Sequence, residues 1–405
     1  MIIKSIKQIV FIITGLPIYL FSRIIPKNKK LAVIGSSLGE YFADNSKYYY
    51  ISYYRTLNSR KNKNLIWISK NRDVVKELNS IGLPAEYLYS LKGIYYTLRA
   101  SKAYISHQLG DINGPLMGGA RIIQLWHGMP LRKIGYGGDW SDNNFNGRLK
   151  SFISKWLPYT YYMKCDILYA PCQKAKDNYN EPFSKSFRNG KVTENIILAR
   201  QARTLCLDNS YELKQEFFPE RELIYSLNSQ YEKIISWLPT QRKQFNKTIL
   251  DIIEDSQLDL KKLNEYCRSK NFLFVIKAHF LDFEKVSDIT ENLDFIFVYP
   301  YADPYPLLKY TDILITDYSS VFFDFLLVDR PIIFMCYDLK MYSNEVEFYY
   351  DFPKLQIGSI CDSWEKVLNT ISKIQNDGDD FSDKRNEVFI SFNFVLENNL
   401  ETLNI

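Results

Sequence analysis

A chain of 405 residues is long enough for two domains of ordinary size, and 46% hydrophobic with 24% charged residues describes a globular protein. The formal net charge is +5, without a basic, aromatic-interleaved stripe or zinc-ligand spacing, which argues against a nucleic-acid partner. The six cysteines form no CxxC pair and several sit in or beside apolar runs, so they read as reduced and buried in a cytosolic protein.

Residues 1–30 carry Lys4, Lys7, Arg23, Lys27, Lys29 and Lys30 and no acid. Between them runs IVFIITGLPIYLF (9–21), mostly apolar and broken by Gly15 and Pro17. That run is shorter than the roughly 20 residues a bilayer-spanning helix needs. A signal peptide is the obvious rival, but Ser22-Arg23-Ile24-Ile25-Pro26 offers no small-x-small cleavage site. The alternatives are a buried first helix and an interfacial anchor, with apolar residues in lipid and cations on anionic headgroups. The anchor is the favoured expectation.

Apolar strand-like runs then recur with helical or loop spacers between them. The first set is Leu31–Ile34, Leu65–Ile68, Ala103–Ile105, Ile122–Trp126, Ile167–Ala170 and Ile196–Leu198. The second is Ile234–Leu238, Phe272–Ile276, Phe295–Val298, Ile313–Thr316 and Ile332–Cys336. Strands alternating with helices predict an α/β protein with parallel sheets. The polar stretch Asp208–Glu222 marks the boundary. The expected division is a basic-apolar segment 1–30, a domain 31–208, a linker 209–230, a second domain 231–378 and a C-terminal helix within 379–405. Helices are expected near 363–376 and 382–402.

Several local features have two readings. Gly35-Ser36-Ser37-Leu38-Gly39 follows the first strand but lacks the GxGxxG spacing and a Walker-type lysine, so a tight turn is preferred over a phosphate loop. Tyr48-Tyr49-Tyr50, and Tyr159 with Tyr161-Tyr162, suit core packing, with a sugar-lined cleft as the alternative. Gly137-Gly138 with Asp139 and Asp142 reads as a loop that could cover an acceptor.

Two stretches carry chemistry. In RIIQLWHGMPLRKIG (121–135) a short strand ends at Trp126-His127-Gly128, followed by the cations Arg132 and Lys133. The chain has only three histidines, and a second, His279, also follows an apolar strand. In DILITDYSSVFFDF (312–325) a buried strand stops at Asp317-Tyr318-Ser319-Ser320 and an apolar helical run begins. Backbone N–H groups, the helix dipole and two hydroxyls would converge there on a point suited to phosphate. Asp324, an acid amid Phe322, Phe323, Phe325 and Leu326, must be paired or working. The plain alternative is an ordinary Ser N-cap with a paired Asp324.

Together these pieces resemble the CDP-glycerol glycerophosphotransferase family, whose members build teichoic acids and related capsule polymers. Trp126-His127-Gly128-Met129-Pro130-Leu131-Arg132 is similar to its WHGTPLK-type block, and Pro239-Thr240-Gln241-Arg242 to its PTWR-type block, with Gln for Trp. Lys277-Ala278-His279-Phe280 resembles the basic-x-His-Pro block, and Thr316–Asp324 matches TDYSSxxFD in full. RPIIFMCYDLKMY (330–342) looks like the family's KPxIFYxYDxxxY segment. The chain departs at Arg200–Leu205, which lacks the Gly and Asp of a Gly-[Tyr/Gln]-x-Arg-x-Asp block, and at Val346-Glu347, where Arg-Gly is usual.

The resemblance implies a GT-B architecture: two Rossmann-like domains facing a cleft, the first for the acceptor and the second for the CDP donor. It implies transfer of glycerol phosphate or ribitol phosphate from CDP-glycerol or CDP-ribitol to a hydroxyl of a lipid-linked or growing glycan, with CMP released, on the cytoplasmic face of the membrane. His127 is expected as the base, with His279 and Asp324 also catalytic. Ser319, Ser320, Thr240, Asp317, Lys277, Arg242, Arg132 and Lys133 are expected on the substrate. No ligand cluster implies a cofactor, although the chemistry is compatible with a divalent metal. The rivals are a GT-B glycosyltransferase or epimerase using a UDP-sugar, and a non-catalytic glycan-binding relative.

Overall fold

The computed structural model describes residues 2–56, 64–135, 145–160, 164–187, 190–242, 245–278 and 282–397. The chain divides into two compact units. One is built from residues 1–127, 133–203 and 394–405, the other from 128–132 and 204–393.

The first unit holds a seven-stranded, wholly parallel sheet. Its strands are β1 (Asn28–Gly35), β2 (Leu65–Ser69), β3 (Ala85–Tyr87), β4 (Ala100–Ile105), β5 (Arg121–Gln124), β6 (Ile167–Ala170) and β7 (Ile196–Leu198). They lie in the order β3-β2-β1-β4-β5-β6-β7. Runs such as Leu65–Ser69 are buried along their full length, as a sheet covered on both faces demands.

The second unit repeats the plan with β8 (Lys233–Trp237), β9 (Phe272–Ile276), β10 (Ile296–Val298), β11 (Ile313–Thr316), β12 (Ile332–Met335) and β13 (Ser359–Cys361). All pairs are parallel and the order is β10-β9-β8-β11-β12-β13. The strand-and-helix alternation in the sequence therefore folds as expected. Two edge strands escape sequence reading, Ala85–Tyr87 and Ser359–Cys361. Each is three residues long and includes a polar residue, too little for an apolar run to register.

Residues 209–230, expected as a linker, fold with the second unit. They carry the helix Arg221–Gln230, whose Ile224 and Leu227 pack with Ile234, Leu273 and Leu307. The helix Trp364–Asp377 begins at Ser363, whose side chain accepts from Lys366 N–H. The last described helix is Ser382–Phe392, shorter than the expected 382–402 because Asn393 adopts a left-handed conformation at its C-terminus (φ 50°).

The amino-terminal run forms one helix, Ile2–Ile24, with Pro17 accommodated inside it. Gly15, Tyr19 and Ser22 recur at helical spacing and are buried. Tyr159 packs on this face, its hydroxyl donating to Ile12 O at 3.0 Å and its ring 5.2 Å from that of Tyr19. Ser22 donates to Pro115 O at 3.0 Å and accepts from Gly118 N–H at 2.9 Å. Ile13, Leu16, Ile18, Leu20, Phe21 and Ile24 remain exposed. The helix is thus docked along one stripe and apolar on its outer side, and Tyr159 serves packing. Tyr48, Tyr49 and Tyr50 are likewise core residues, while Tyr161-Tyr162 lie outside the described residues.

A Cβ at residue 118 would lie 2.3 Å from Ser22 Oγ and 2.7 Å from Tyr19 O. Gly118→Ala should therefore lift the first helix from its seat and cost about 1–3 kcal/mol, as overpacking does. A thermal melt should show a lower midpoint, and an unchanged one would contradict this packing.

Candidate functional site

In an open parallel sheet, ligands collect beyond the strand carboxyl ends where the strand order reverses, because two neighbouring loops diverge there. The reversal falls between β1 and β4 in the first unit and between β8 and β11 in the second. The residues just past those strands are Ser36-Ser37 and Ser106-His107, and Pro239–Arg242 and Asp317–Ser320.

In the first unit, His127 follows β5 at an elbow. Trp126 holds φ 61°, a left-handed conformation that a bulky side chain avoids unless its surroundings impose it. They do so from several sides. Trp126 N–H donates to Gln124 Oε1 at 2.8 Å, Asn45 Nδ2 donates to Trp126 O at 2.8 Å, and the indole packs edge-on against Phe183. Asn45 Oδ1 in turn accepts from Arg203 N–H at 3.0 Å. His127 Nδ1 lies 3.1 Å from Ser106 O, so the proton sits on Nδ1 and the lone pair on Nε2. Burial lowers the pKa of this ring to about 4, with His107 and Arg203 adding to the effect and Asp44 and the Ser106 bond opposing it.

Around His127 stand three further groups. The ring of His107 stacks on it, centroids 4.6 Å apart and planes 8° from parallel. Arg203 Nη1 donates to His127 O at 2.8 Å and to Asp44 Oδ1 at 3.1 Å. Burial would raise the Asp44 carboxyl, but Arg203 and the two imidazoles outweigh it and hold Asp44 below its usual range. Beneath them Asp111, fully buried, accepts from the N–H groups of Leu38, Ser106 and His107 and ties the two strand-end loops together. Burial pushes its carboxyl up to about 7 against the pull of those donors. Gly35 is required here, since a Cβ would fall 2.3 Å from Asp111 O. The Gly35–Gly39 segment is accordingly a tight turn with a 3₁₀ step at Ser37–Gly39.

In the second unit the loops after β8, β11 and β12 are knotted around Arg242. Its guanidinium has no exposed surface and bonds Asp338 through Nε (2.9 Å) and Nη2 (3.2 Å), Asp317 through Nη1 (2.9 Å) and Thr240 O (2.7 Å). Tyr318 and Tyr342 lie 4.9 and 5.0 Å from it, stacked on each other at 3.8 Å. Asp317 also accepts from the N–H groups of Thr240 and Tyr318. Beside this knot is a cavity of about 360 Å³ lined by residues that include Thr240, Gln241, Thr248, Ile252 and Lys277. Thr240 Oγ1 is buried without a hydrogen-bond partner among the described residues. Burial lowers Lys277 to about 8, with Asp303 opposing, and its Nζ donates to Ala278 O at 2.9 Å.

Several expected roles need revision. Arg242 and Asp317 are buried and bonded to each other inside the knot, with Asp338 as a second carboxylate on the guanidinium. Asp324 is buried and accepts from the Tyr305 hydroxyl, so its carboxylate has a partner within the protein. The helix after Ser320 is only Val321–Phe325, and Ser320 makes no capping bond. Val321 N–H instead reaches Ser319 Oγ at 3.3 Å. Ser319 and Ser320 are half-buried at the strand end, without the long helix dipole expected behind them. Arg132 belongs to the second unit, where it bridges Phe348 and its Nη1 approaches the Tyr342 hydroxyl at 3.3 Å. Lys133 is half-buried in the first unit. His279 and the Gly137–Asp142 loop lie outside the described residues. Thr240 and Lys277 do come together, at the cavity.

Sequence reading missed His107, Asp44, Asn45 and Asp111, and gave no role to Asp338 within the 330–342 segment. His107 carried the same signal as His127, a histidine just past an apolar strand. The others join the site only through folding. Arg203, in the block that lacks its usual Gly and Asp, is retained where it matters. Among the described residues, no group of three or more His, Cys, Asp or Glu is placed to share a metal ion.

Two doubly wound parallel sheets, one presenting a neutral imidazole and the other a lysine-lined cavity, define a two-unit α/β protein equipped for polar group transfer. A family model described as CDP-Glycerol:Poly(glycerophosphate) glycerophosphotransferase matches residues 18–396, and the chain belongs to that family. It is 26% identical to the teichoic acid poly(glycerol phosphate) polymerase of Bacillus spizizenii, over 93% of this chain and 89% of that one. It is 25% identical to the teichoic acid glycerol-phosphate transferase of Staphylococcus aureus, over 90% and 89% respectively. The fold resembles the structure of the wall teichoic acid polymerase TagF with a TM-score of 0.72 at 21% identity, covering 98% of this chain and 93% of that one.

Removing Arg242 would leave Asp317 and Asp338 buried without their counter-charge. Arg242→Ala should cost about 3–5 kcal/mol, the usual cost of breaking a buried pair. Urea denaturation should reveal the loss. A variant of native stability with only a raised KM would restore the ligand-binding role.

Proposed function

We propose that the protein is a GT-B-type transferase that moves an alditol phosphate, glycerol phosphate or ribitol phosphate, from a CDP-linked donor to a hydroxyl of a growing teichoic-acid-type glycan. The observation that carries this reading is His127, with its Nδ1 proton engaged by Ser106 O and its Nε2 lone pair uncommitted by that bond. An imidazole lowered to about 4 is a free base at neutral pH. In the step proposed, the acceptor oxygen bonds the alditol-bearing phosphorus, its proton passes to His127 Nε2, and the bond from that phosphorus to CMP breaks. Lys277, cationic below about pH 8, and the hydroxyls of Thr240, Ser319 and Ser320 would meet the diphosphate. His279 and Lys133 are retained in the proposal from sequence alone.

His127→Ala should lower turnover by about 10²–10⁴-fold, the usual worth of a general base. Because the base must be unprotonated, kcat/KM in the wild type should hold down to mildly acidic pH and fall only as pH approaches 4. CMP release from CDP-glycerol and CDP-ribitol with a lipid-linked acceptor measures both. Release of UDP from a UDP-sugar instead would overturn the reading in favour of a sugar transferase, and inertness toward every donor would favour a binding protein.

We also place the first unit on the inner membrane surface as a peripheral protein. Among the described residues no helix is long and apolar enough to cross a membrane. Beside the outer side of Ile2–Ile24 there is a second candidate surface, the helix Phe145–Trp156. Leu149, Phe152 and Trp156 are 45%, 64% and 67% exposed at helical spacing, and the helix carries Arg148, Lys150 and Lys155 with no acid. Apolar residues flanked by cations suit an anionic bilayer surface.

Phe152→Asp with Trp156→Asp should release the protein from anionic liposomes while the far-UV spectrum stays unchanged. Wild-type binding should weaken as salt rises, since screening acts within about 10 Å at 0.1 M. Retention of the double variant on the liposomes would remove this helix from the membrane surface.

A further inference from the structure

The chain has three histidines, and one that carries no role above stands against the proposed base. His107 lies at the carboxyl end of β4, beside the reversal in strand order, with its side chain 30% exposed. Both of its ring nitrogens face polar groups. Nδ1 accepts from Ser37 N–H at 3.3 Å, which places the ring proton on Nε2, 3.6 Å from Asp44 Oδ2. A second proton on Nδ1 would break the Ser37 bond, although Asp111 Oδ2, 4.0 Å from Nδ1, and Asp44 would face the charge. Burial and Arg203 lower the His107 pKa against the pull of Asp44, so the ring is neutral at neutral pH, and its face lies 4.6 Å from His127 at 8°.

The backbone reinforces this placement. Asp111 fixes the His107 N–H at 2.8 Å and, through Leu38 N–H, the loop that supplies Ser37. Ser106, the residue before His107, supplies the carbonyl that sets the His127 tautomer. One strand end thus orients the base twice, by a hydrogen bond at its edge and by an aromatic cover on its face.

We propose that His107 is a positioning residue for His127: its neutral ring, clamped by Ser37 N–H and Asp44, covers one face of the base, keeps water from it and holds Nε2 on line with the acceptor hydroxyl. This rests on the transfer reading above, because it assigns His107 no substrate contact. The charged and titratable groups facing the pair are Asp44, Asp111 and Arg203. Burial is the largest cause of the low His127 midpoint and the positive charge His107 takes on in acid is the next, so the variants below separate cover from charge.

The test uses the full chain with ¹³C-labelled histidine, its ring signals assigned by single substitution, alongside CMP release. His107→Ala opens the covered face. Its His127 titration midpoint should rise toward the ordinary imidazole value of about 6.5, moving the acid limb of the rate profile to higher pH. Turnover should fall about 10-fold or more, because a loosened base loses its alignment, with donor KM little changed. His107→Phe keeps a flat cover without ring nitrogens and should retain most of the turnover and a midpoint closer to the wild type than that of the alanine variant. His107→Gln, which keeps an acceptor for Ser37 without an aromatic face, should behave like the alanine variant and replaces it if alanine prevents folding. An unmoved midpoint in both the alanine and glutamine variants overturns the proposal, as does a phenylalanine variant no better than alanine. If the wild type releases no CMP from any CDP-alditol, the transfer reading fails by itself, while the midpoints still decide whether His107 governs His127.

Discussion

A guanidinium with no exposed surface must find its counter-charges within the protein, and the second unit is organised around meeting that demand for Arg242. Asp317 comes from the loop after β11 and Asp338 from the loop after β12, so one side chain from the β8 loop holds three strand ends in register. Tyr318 completes the arrangement by donating to Asp338 while stacking against Tyr342. The cavity beside Thr240 and Lys277 exists because the loop that begins with Pro239 is fixed at its far end by this knot. Arg242 thus fixes the loop that lines this cavity without lining it.

The first unit solves the same problem with weaker bonds and a strained backbone. Trp126 is held at positive φ by Gln124, Asn45 and a cage of aromatic rings, and the strain turns His127 toward Ser106. Arg203 links that elbow to the helix that starts at Asp44. Both units therefore use a buried arginine between acids and main-chain carbonyls to fix the loops at a strand-order reversal. They differ in what stands at those loops: a neutral imidazole in one, a lysine and hydroxyls in the other.

The α/β class and nearly all interior strands were legible, because parallel strands buried on both faces are written as continuous apolar runs. Of the edge strands, Ala85–Tyr87 and Ser359–Cys361 were not, since each includes a polar residue and shows no apolar run. His127 was legible as a polar residue ending an apolar strand, and the same rule would have found His107. Asp324 shows the limit of that logic. An acid in an apolar run is costly unless partnered, but the run does not reveal whether the partner is a substrate or, as here, Tyr305 nearly twenty residues before it. Arg242 fails in the opposite way, because a cation in a block resembling the family's PTWR motif suggests phosphate, and only the fold supplies its two carboxylates.

The chain leaves the first unit at His127, spends five residues in the second, returns at Lys133, leaves again after Arg203 and comes back at Phe394. Within that short excursion Arg132 reaches Tyr342, 210 residues further along, and Leu131 O accepts from Tyr349 N–H. Val395 N–H likewise donates to Pro171 O, back in the first unit. Neither unit is thus a continuous length of polypeptide that can be cut out and expressed whole. During synthesis the piece containing Leu131 waits for nearly the whole second unit before its partners exist, a long-range closure of the kind that slows folding. Such interlacing makes the two halves a single inheritance, to be kept or lost together when fragments of the gene are recombined.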